Sequence, residues 1–275
     1  MSLLINGHLI ETPGHVFKTW LDDPSVRLKM GQDGRGTRNT KWIRSLFFHT
    51  TTGKSPQVIK PGKGPKGKYA ENVAHYWTGN SRSAGAHLIL NPDGTWVQTA
   101  DLALETAYHA TSVNDTSIGI EIVSLDGTGP DRKFASILYS DQLDEAVWLA
   151  DFLTAFFDDA RNSPLVVAIP RQIQWPYDVN PVARLKAGGV DCAGVFAHYQ
   201  QTTDRGPGDP GIEFFLRLRA KDYESFDFSK NTDKTTWKPR QKDLKVTEDG
   251  VPGPATRKAI LDSGRDHGLW PVVKI

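Results

Sequence analysis

Ser117-Ile118-Gly119-Ile120-Glu121-Ile122-Val123 is dense in β-branched residues and reads as a strand. Ile118, Ile120 and Ile122 fall on one face of it, and Gly119, Glu121 and Val123 on the other. A carboxylate set among isoleucines needs a reason. Taken alone, the strand leaves two readings open: a salt-bridged or solvent-facing side chain, or a chemical role.

Other elements follow on either side. Leu46-Phe47-Phe48-His49 is an apolar run ending in a histidine and a Thr-rich turn, which predicts a buried strand delivering His49 at its end. The sequence from His87 to Gln98 predicts a hairpin around Asn91-Pro92-Asp93-Gly94. Residues 2–10 read as a strand or hairpin, and 70–78 as a short helix. Leu143, Val147, Ala150, Leu153 and Phe157 recur at three- and four-residue steps, so 141–158 is expected to be an amphipathic helix. Residues 165–169 read as a short buried strand stopped by Pro170. Residues 190–201 set His198 after a short apolar segment, and 212–218 start a helix with Asp209 and Pro210 at its N-terminal edge. Residues 22–42 and 171–188 read as loops, the first with room for one helical turn. Residues 53–69, with Lys54, Lys60, Lys63, Lys66 and Lys68 among Gly and Pro, fit neither helix nor strand. They are either a solvated loop or a basic lip over a site. Strands interleaved with helices predict a mixed α/β domain with one sheet over about residues 1–220.

Composition bounds the function. The 275 residues suffice for one sizeable core, with Lys+Arg 33 against Asp+Glu 32. Such balance argues against a protein built around nucleic acid. Nowhere does an apolar run approach the roughly 18–20 residues of a membrane-spanning helix, so membrane insertion is not expected. Met1-Ser-Leu-Leu-Ile-Asn-Gly-His8 has no cationic leader and no apolar run of signal-peptide length. The expectation is synthesis in the cytosol with no export address. Cys192 is the single cysteine, so no internal disulfide forms, and it reads as a small buried residue rather than a nucleophile.

Catalytic zinc takes three protein ligands, commonly His and Asp or Glu, and keeps one position open. His49 and His198 each end an apolar segment, and Asp209 lies eleven residues past His198 across a tight turn. Spacing alone is weak evidence in a chain with eight histidines. The surrounding motifs add more. Phe47-Phe48-His49-Thr-Thr, Ala86-His87-Leu-Ile-Leu-Asn-Pro-Asp-Gly-Thr, Tyr108-His109-Ala, Asn114-Asp-Thr-Ser-Ile-Gly-Ile-Glu121, Ala197-His198 and Arg205-Gly-Pro-Gly-Asp209-Pro-Gly211 occur in that order.

This series resembles the type-2 N-acetylmuramoyl-L-alanine amidase family, over roughly residues 43–218. The family includes phage lysins, cytoplasmic muropeptide-recycling amidases and animal peptidoglycan-recognition proteins. The resemblance implies an α/β fold with a central mixed β-sheet flanked by helices and zinc in a surface groove. It implies His49, His198 and Asp209 as ligands of Zn2+, the third being Cys in some branches and Asp in others. Glu121 matches the carboxylate that some branches use as general base. His109 sits where the family often has a histidine able to hydrogen-bond substrate or intermediate. His87 reads as a structural histidine at a strand start, and His8, His15, His75 and His267 as surface residues. Arg205 is the candidate oxyanion stabiliser, but off register. Many members carry Lys or Arg two residues before the third ligand, where this chain has Pro207.

Composition shifts near residue 222. Residues 1–222 are read as the amidase domain, 223–240 as a linker and 241–275 as a small helical segment. Within the last, Asp249-Gly250-Val-Pro-Gly253-Pro-Ala-Thr256 resembles the core of a helical peptidoglycan-binding module, at about half its length. A plain structural tail fits as well. The expected partner is peptidoglycan or a muropeptide. The settings left open are a phage or prophage endolysin acting on the wall after release, a recycling amidase, an interbacterial toxin and a non-catalytic peptidoglycan-binding protein.

Overall fold

The computed structural model describes residues 2–31, 34–38, 43–52, 57–79, 84–126, 136–158, 169–174, 193–200, 208–226, 242 and 245–248. The chain opens with the hairpin β1 (Ser2–Ile5) and β2 (His8–Glu11), followed by β3 (Phe17–Thr19), β4 (Lys29–Met30) and β5 (Gly34–Thr37). β6 (Ser45–Thr50) and β7 (Gln57–Lys60) precede helix α1 (Tyr69–Gly79). β8 (Leu88–Leu90), β9 (Trp96–Gln98), β10 (Glu105–Ala107), β11 (Ser117–Ile122), β12 (Leu125–Asp126) and β13 (Ser136–Tyr139) lead into α2 (Ser140–Asp158). β14 (Gln172–Gln174), β15 (Gly194–Ala197), α3 (Ile212–Arg219) and β16 (Glu224–Phe226) complete the described elements.

Among the described residues, eight strands form one mixed sheet in the order β16-β14-β15-β6-β11-β8-β9-β3. The run from β16 to β8 is parallel, and β8 and β9 form the antiparallel hairpin expected from the sequence. In its turn Asp93 Oδ1 accepts from the Thr95 N–H at 3.1 Å, and Gly94 takes a φ of +86°. The first turn residue, Asn91, also accepts from the Ala70 N–H at 2.8 Å. That satisfies one of the unpaired donors at the start of α1 and fixes the helix over the sheet.

The isoleucine face of β11 carries the larger core. Ile118, Ile120 and Ile122 pack with Leu143, Val147, Leu153 and Phe157 of α2 and with Phe214, Phe215 and Leu218 of α3. Each such buried side chain stabilises by about 1.5–3 kcal/mol relative to exposure. On the opposite face Ala70 and Ala74 of α1 meet Ile89, Val97 and Val123. Helices thus flank both faces of a central mixed sheet. No helix among the described residues is long and apolar enough to cross a membrane.

Besides the two-residue β4, which lies in the expected loop 22–42, four short strands depart from the sequence expectation. β7 lies within the Lys-, Gly- and Pro-rich segment 53–69 and pairs in parallel with β13. β5 lies in the expected loop 22–42 and pairs with β10, while β14, within 171–188, pairs with β15 and β16. β16 occupies the start of the expected linker, so the sheet extends to Phe226. Each is only three or four residues long and pairs with at least one strand well separated in sequence, so local pattern under-reports it. His15 is partly exposed but engaged: its ring stacks on Trp148 at 3.4 Å between centroids, and Nδ1 lies 2.8 Å from Glu145. The 165–168 part of the expected strand at 165–169, Cys192, His267 and nearly all of 241–275 lie outside the described residues.

Candidate metal centre

β15, β6 and β11 lie side by side and parallel, with Phe48 opposite Ala197 and His49 opposite Glu121. His198 follows Ala197 directly. His49, Glu121 and His198 therefore emerge near the carboxyl ends of three adjacent parallel strands, the edge at which α/β sheets build sites. Asp209 reaches the same point from the loop before α3. Ligand atoms of His49, His198 and Asp209 all lie within 4.8 Å of one another. The two imidazole rings are 4.3 Å apart between centroids. Asp209 is fully buried and splits its carboxylate: Oδ1 accepts the Thr50 N–H at 2.6 Å, and Oδ2 lies 3.1 Å from His198 Nδ1.

These residues border a groove of about 500 Å³. Glu121 lines it beside them. Asn72, Val73, Tyr76 and Trp77 of α1 form one wall, and Gly85, Tyr108 and His109 border it elsewhere.

His109 is tied into the centre by both ring nitrogens. Nδ1 is 3.1 Å from His49 Nε2, and Nε2 is 3.0 Å from Ser117 Oγ. Counting protons assigns the tautomers. The Ser117 hydroxyl donates its one hydrogen to the Val113 carbonyl at 2.6 Å, so its oxygen accepts from His109 Nε2–H. His109 Nδ1 is then bare and accepts from His49 Nε2–H, which leaves the His49 Nδ1 lone pair for a metal. Burial, together with the neighbouring His87, His198 and Arg38, holds the His109 pKa well below its usual value, so the ring is neutral as this count requires. Gly119 completes the arrangement, since a Cβ there would overlap the His109 ring.

His87, 6.0 Å from His109 between centroids, is a structural histidine as expected. Its Nδ1 accepts the Gly119 N–H at 3.0 Å and Nε2 donates to the Glu105 carbonyl at 3.0 Å. Complete burial, with the Arg38 charge adding to it, pushes its pKa down to about 3. Arg38 itself is partly buried and donates to the carbonyls of Glu105 (2.9 Å) and Ser117 (3.1 Å), pinning the segments around β10 and β11.

The donors fit a zinc ion. Two imidazoles and one carboxylate are a catalytic zinc set, which would leave one coordination position for water. The buried Asp209 carboxylate set beside two imidazoles is also a place where a divalent cation would supply counter-charge. Arg205 lies in 201–207, outside the described residues. Sequence reasoning missed Ser117 and Thr50, although both stand inside quoted motifs. Nothing in the sequence singles out their partners.

A mixed α/β sheet that brings two histidines at strand ends against a loop aspartate defines a protein with a candidate metal site. The sequence model of the N-acetylmuramoyl-L-alanine amidase family matches residues 38–207, and the chain belongs to that family, in its type-2 branch. The matched stretch stops two residues short of Asp209. No curated protein matches the sequence. Solved structures similar to the chain include a mutant endolysin from Bacillus subtilis, at 21% identity over 51% of this chain and 76% of that one, with a TM-score of 0.32. Another is the N-acetylmuramoyl-L-alanine amidase LysC from Clostridium intestinale URNW, at 14% identity over 76% and 97%, with a TM-score of 0.40. A third is a complex of the ectodomains of peptidoglycan recognition proteins LCa and LCx with tracheal cytotoxin, at 12% identity over 76% and 97%, with a TM-score of 0.38.

Proposed function

We propose that this chain is a zinc-dependent hydrolase of the amide between N-acetylmuramic acid and L-alanine, with His49, His198 and Asp209 holding the metal. The observation that carries the reading is the convergence of those donors with Glu121 in one groove of an amidase-family chain. An amide is a poor electrophile and water a poor nucleophile. Zinc bound here supplies a Lewis acid for the carbonyl and activates water at neutral pH. Glu121, bordering the groove beside the ligands, accepts the proton of the attacking water and returns it to the departing amine. His109 has both ring nitrogens engaged, so its role is to orient His49 rather than to bind substrate. Arg205 is assigned the cation that offsets the oxyanion, from the sequence alone. The biological setting we favour is a phage or prophage endolysin, supported by the wall-module resemblance within 241–275, with the catalytic domain running past residue 222 to include β16.

The test is product analysis by mass spectrometry on intact sacculi and on soluble anhydro-muropeptides, with zinc and with a chelator. Chelator-sensitive release of free stem peptides from sacculi is the expected result. Cleavage confined to the soluble substrates would move the protein to a recycling role, and no chelator-sensitive cleavage of either would end the enzyme reading.

A further inference from the structure

The loop presenting Asp209 is held from three sides. Thr50, the residue after His49, donates its N–H to Asp209 Oδ1 and its hydroxyl to the Gly208 carbonyl at 2.9 Å. Tyr199, the residue after His198, donates its N–H to the Asp209 carbonyl at 3.3 Å. The third hold is Gln57, at the start of β7. Its Nε2 donates to the Gly208 carbonyl at 2.7 Å and also to the Pro210 carbonyl. One amide thus spends its two hydrogens on the carbonyls either side of Asp209, which no hydroxyl or ring nitrogen could do. Gly211 makes room for it, having a φ of +104° and no Cβ to overlap the Gln57 amide.

Thr50 and Tyr199 belong to the ligand-bearing segments themselves. Gln57 comes from a separate three-stranded sheet, β12-β13-β7, and ties that sheet to the loop. We infer that Gln57 is a positioning residue of the metal centre: it fixes the backbone on both sides of Asp209 and so aims the carboxylate at His49 and His198. The inference rests on the reading of those three residues as metal ligands. Groups that orient a ligand typically change metal affinity by about 10–100-fold when removed.

The experiment measures zinc affinity of the full chain by competition with a chromophoric chelator, beside the melting temperature of the zinc-free protein. Gln57→Met keeps the bulk and removes both donors. Gln57→Asn keeps the amide but is too short to reach both carbonyls, and it decides the matter if the Met variant does not fold. Val58→Thr, at an exposed position of the same strand, is the control. Zinc binding weakened about 10–100-fold in the Gln57 variants and unchanged in Val58→Thr is the expected result. Wild-type affinity in both Gln57 variants, with only the melting temperature lowered, overturns the positioning role and leaves the metal reading intact. Absence of zinc binding by the wild type overturns the metal reading, and the role of Gln57 with it.

Discussion

The two faces of β11 make a controlled comparison within six residues. Ile118, Ile120 and Ile122 are fully buried in the core cluster with α2 and α3. Ser117, Gly119 and Glu121, on the other face, each serve the groove. Ser117 bonds His109, Gly119 leaves space for its ring, and Glu121 lines the cavity beside His49. One strand therefore separates stability from chemistry by side-chain alternation alone. The groove face tolerates a glycine and a carboxylate mid-strand because the isoleucine face secures the strand.

The largest effect should come from exchanging one residue on each face. Glu121→Gln should keep zinc and the melting temperature while lowering turnover by about 10²–10⁴-fold, the usual worth of a general acid–base group. Ile120→Ala should do the reverse, costing about 2–5 kcal/mol of stability with turnover of the folded fraction near wild type. Steady-state kinetics and denaturant titration on both variants check the pair. Near wild-type turnover in Glu121→Gln would remove it from the mechanism, and the comparison would lose its chemical half.

Much of this was legible in the sequence, for identifiable reasons. β6, β11, the β8–β9 hairpin and α2 have strong local signals: apolar runs, Asn-Pro-Asp-Gly and a helical stripe. β7, β14 and β16 do not, because each is a short segment whose strand partners lie 20 or more residues away. His49, His198 and Asp209 could be nominated by motif order, since their residue types are what zinc takes. The part played by His109 could not. Whether an imidazole faces substrate or a neighbouring ligand depends on which atoms sit at its two nitrogens, and the Ser117 hydroxyl reaches it only because the turn at 111–116 folds back. Gln57 had no signal at all among its lysines and prolines.

A smaller effect tests the proton count. Ser117→Ala removes the acceptor for His109 Nε2–H while leaving the strand intact. His109 is then free to carry its proton on Nδ1, which would oppose His49 Nε2–H. Zinc affinity should fall by about 10-fold, with the apo melting temperature little changed. Equal affinity in the variant would show that His49 holds its tautomer without the relay, and that the groove face needs only Gly119 and Glu121.

The last test concerns His87, whose Nδ1 accepts the Gly119 N–H of the same strand. Its pKa is about 3 in the folded protein against 6.5 for an unburied imidazole. Between those values the unfolded chain takes up the proton and the folded chain does not. Its contribution is therefore full above about pH 6.5 and is lost as the pH falls toward 3. The loss approaches but does not exceed about 1.4 kcal/mol per pH unit, and it is smallest in the first unit below 6.5. His109, held neutral by the same burial, acts in the same direction. His87→Gln should be less stable than wild type at pH 7, yet its melting temperature should fall less between pH 7 and 5. Parallel curves for the two proteins would mean that His87 is not the group taking up the proton, and that acid lability belongs to the groove face of β11 rather than to its support.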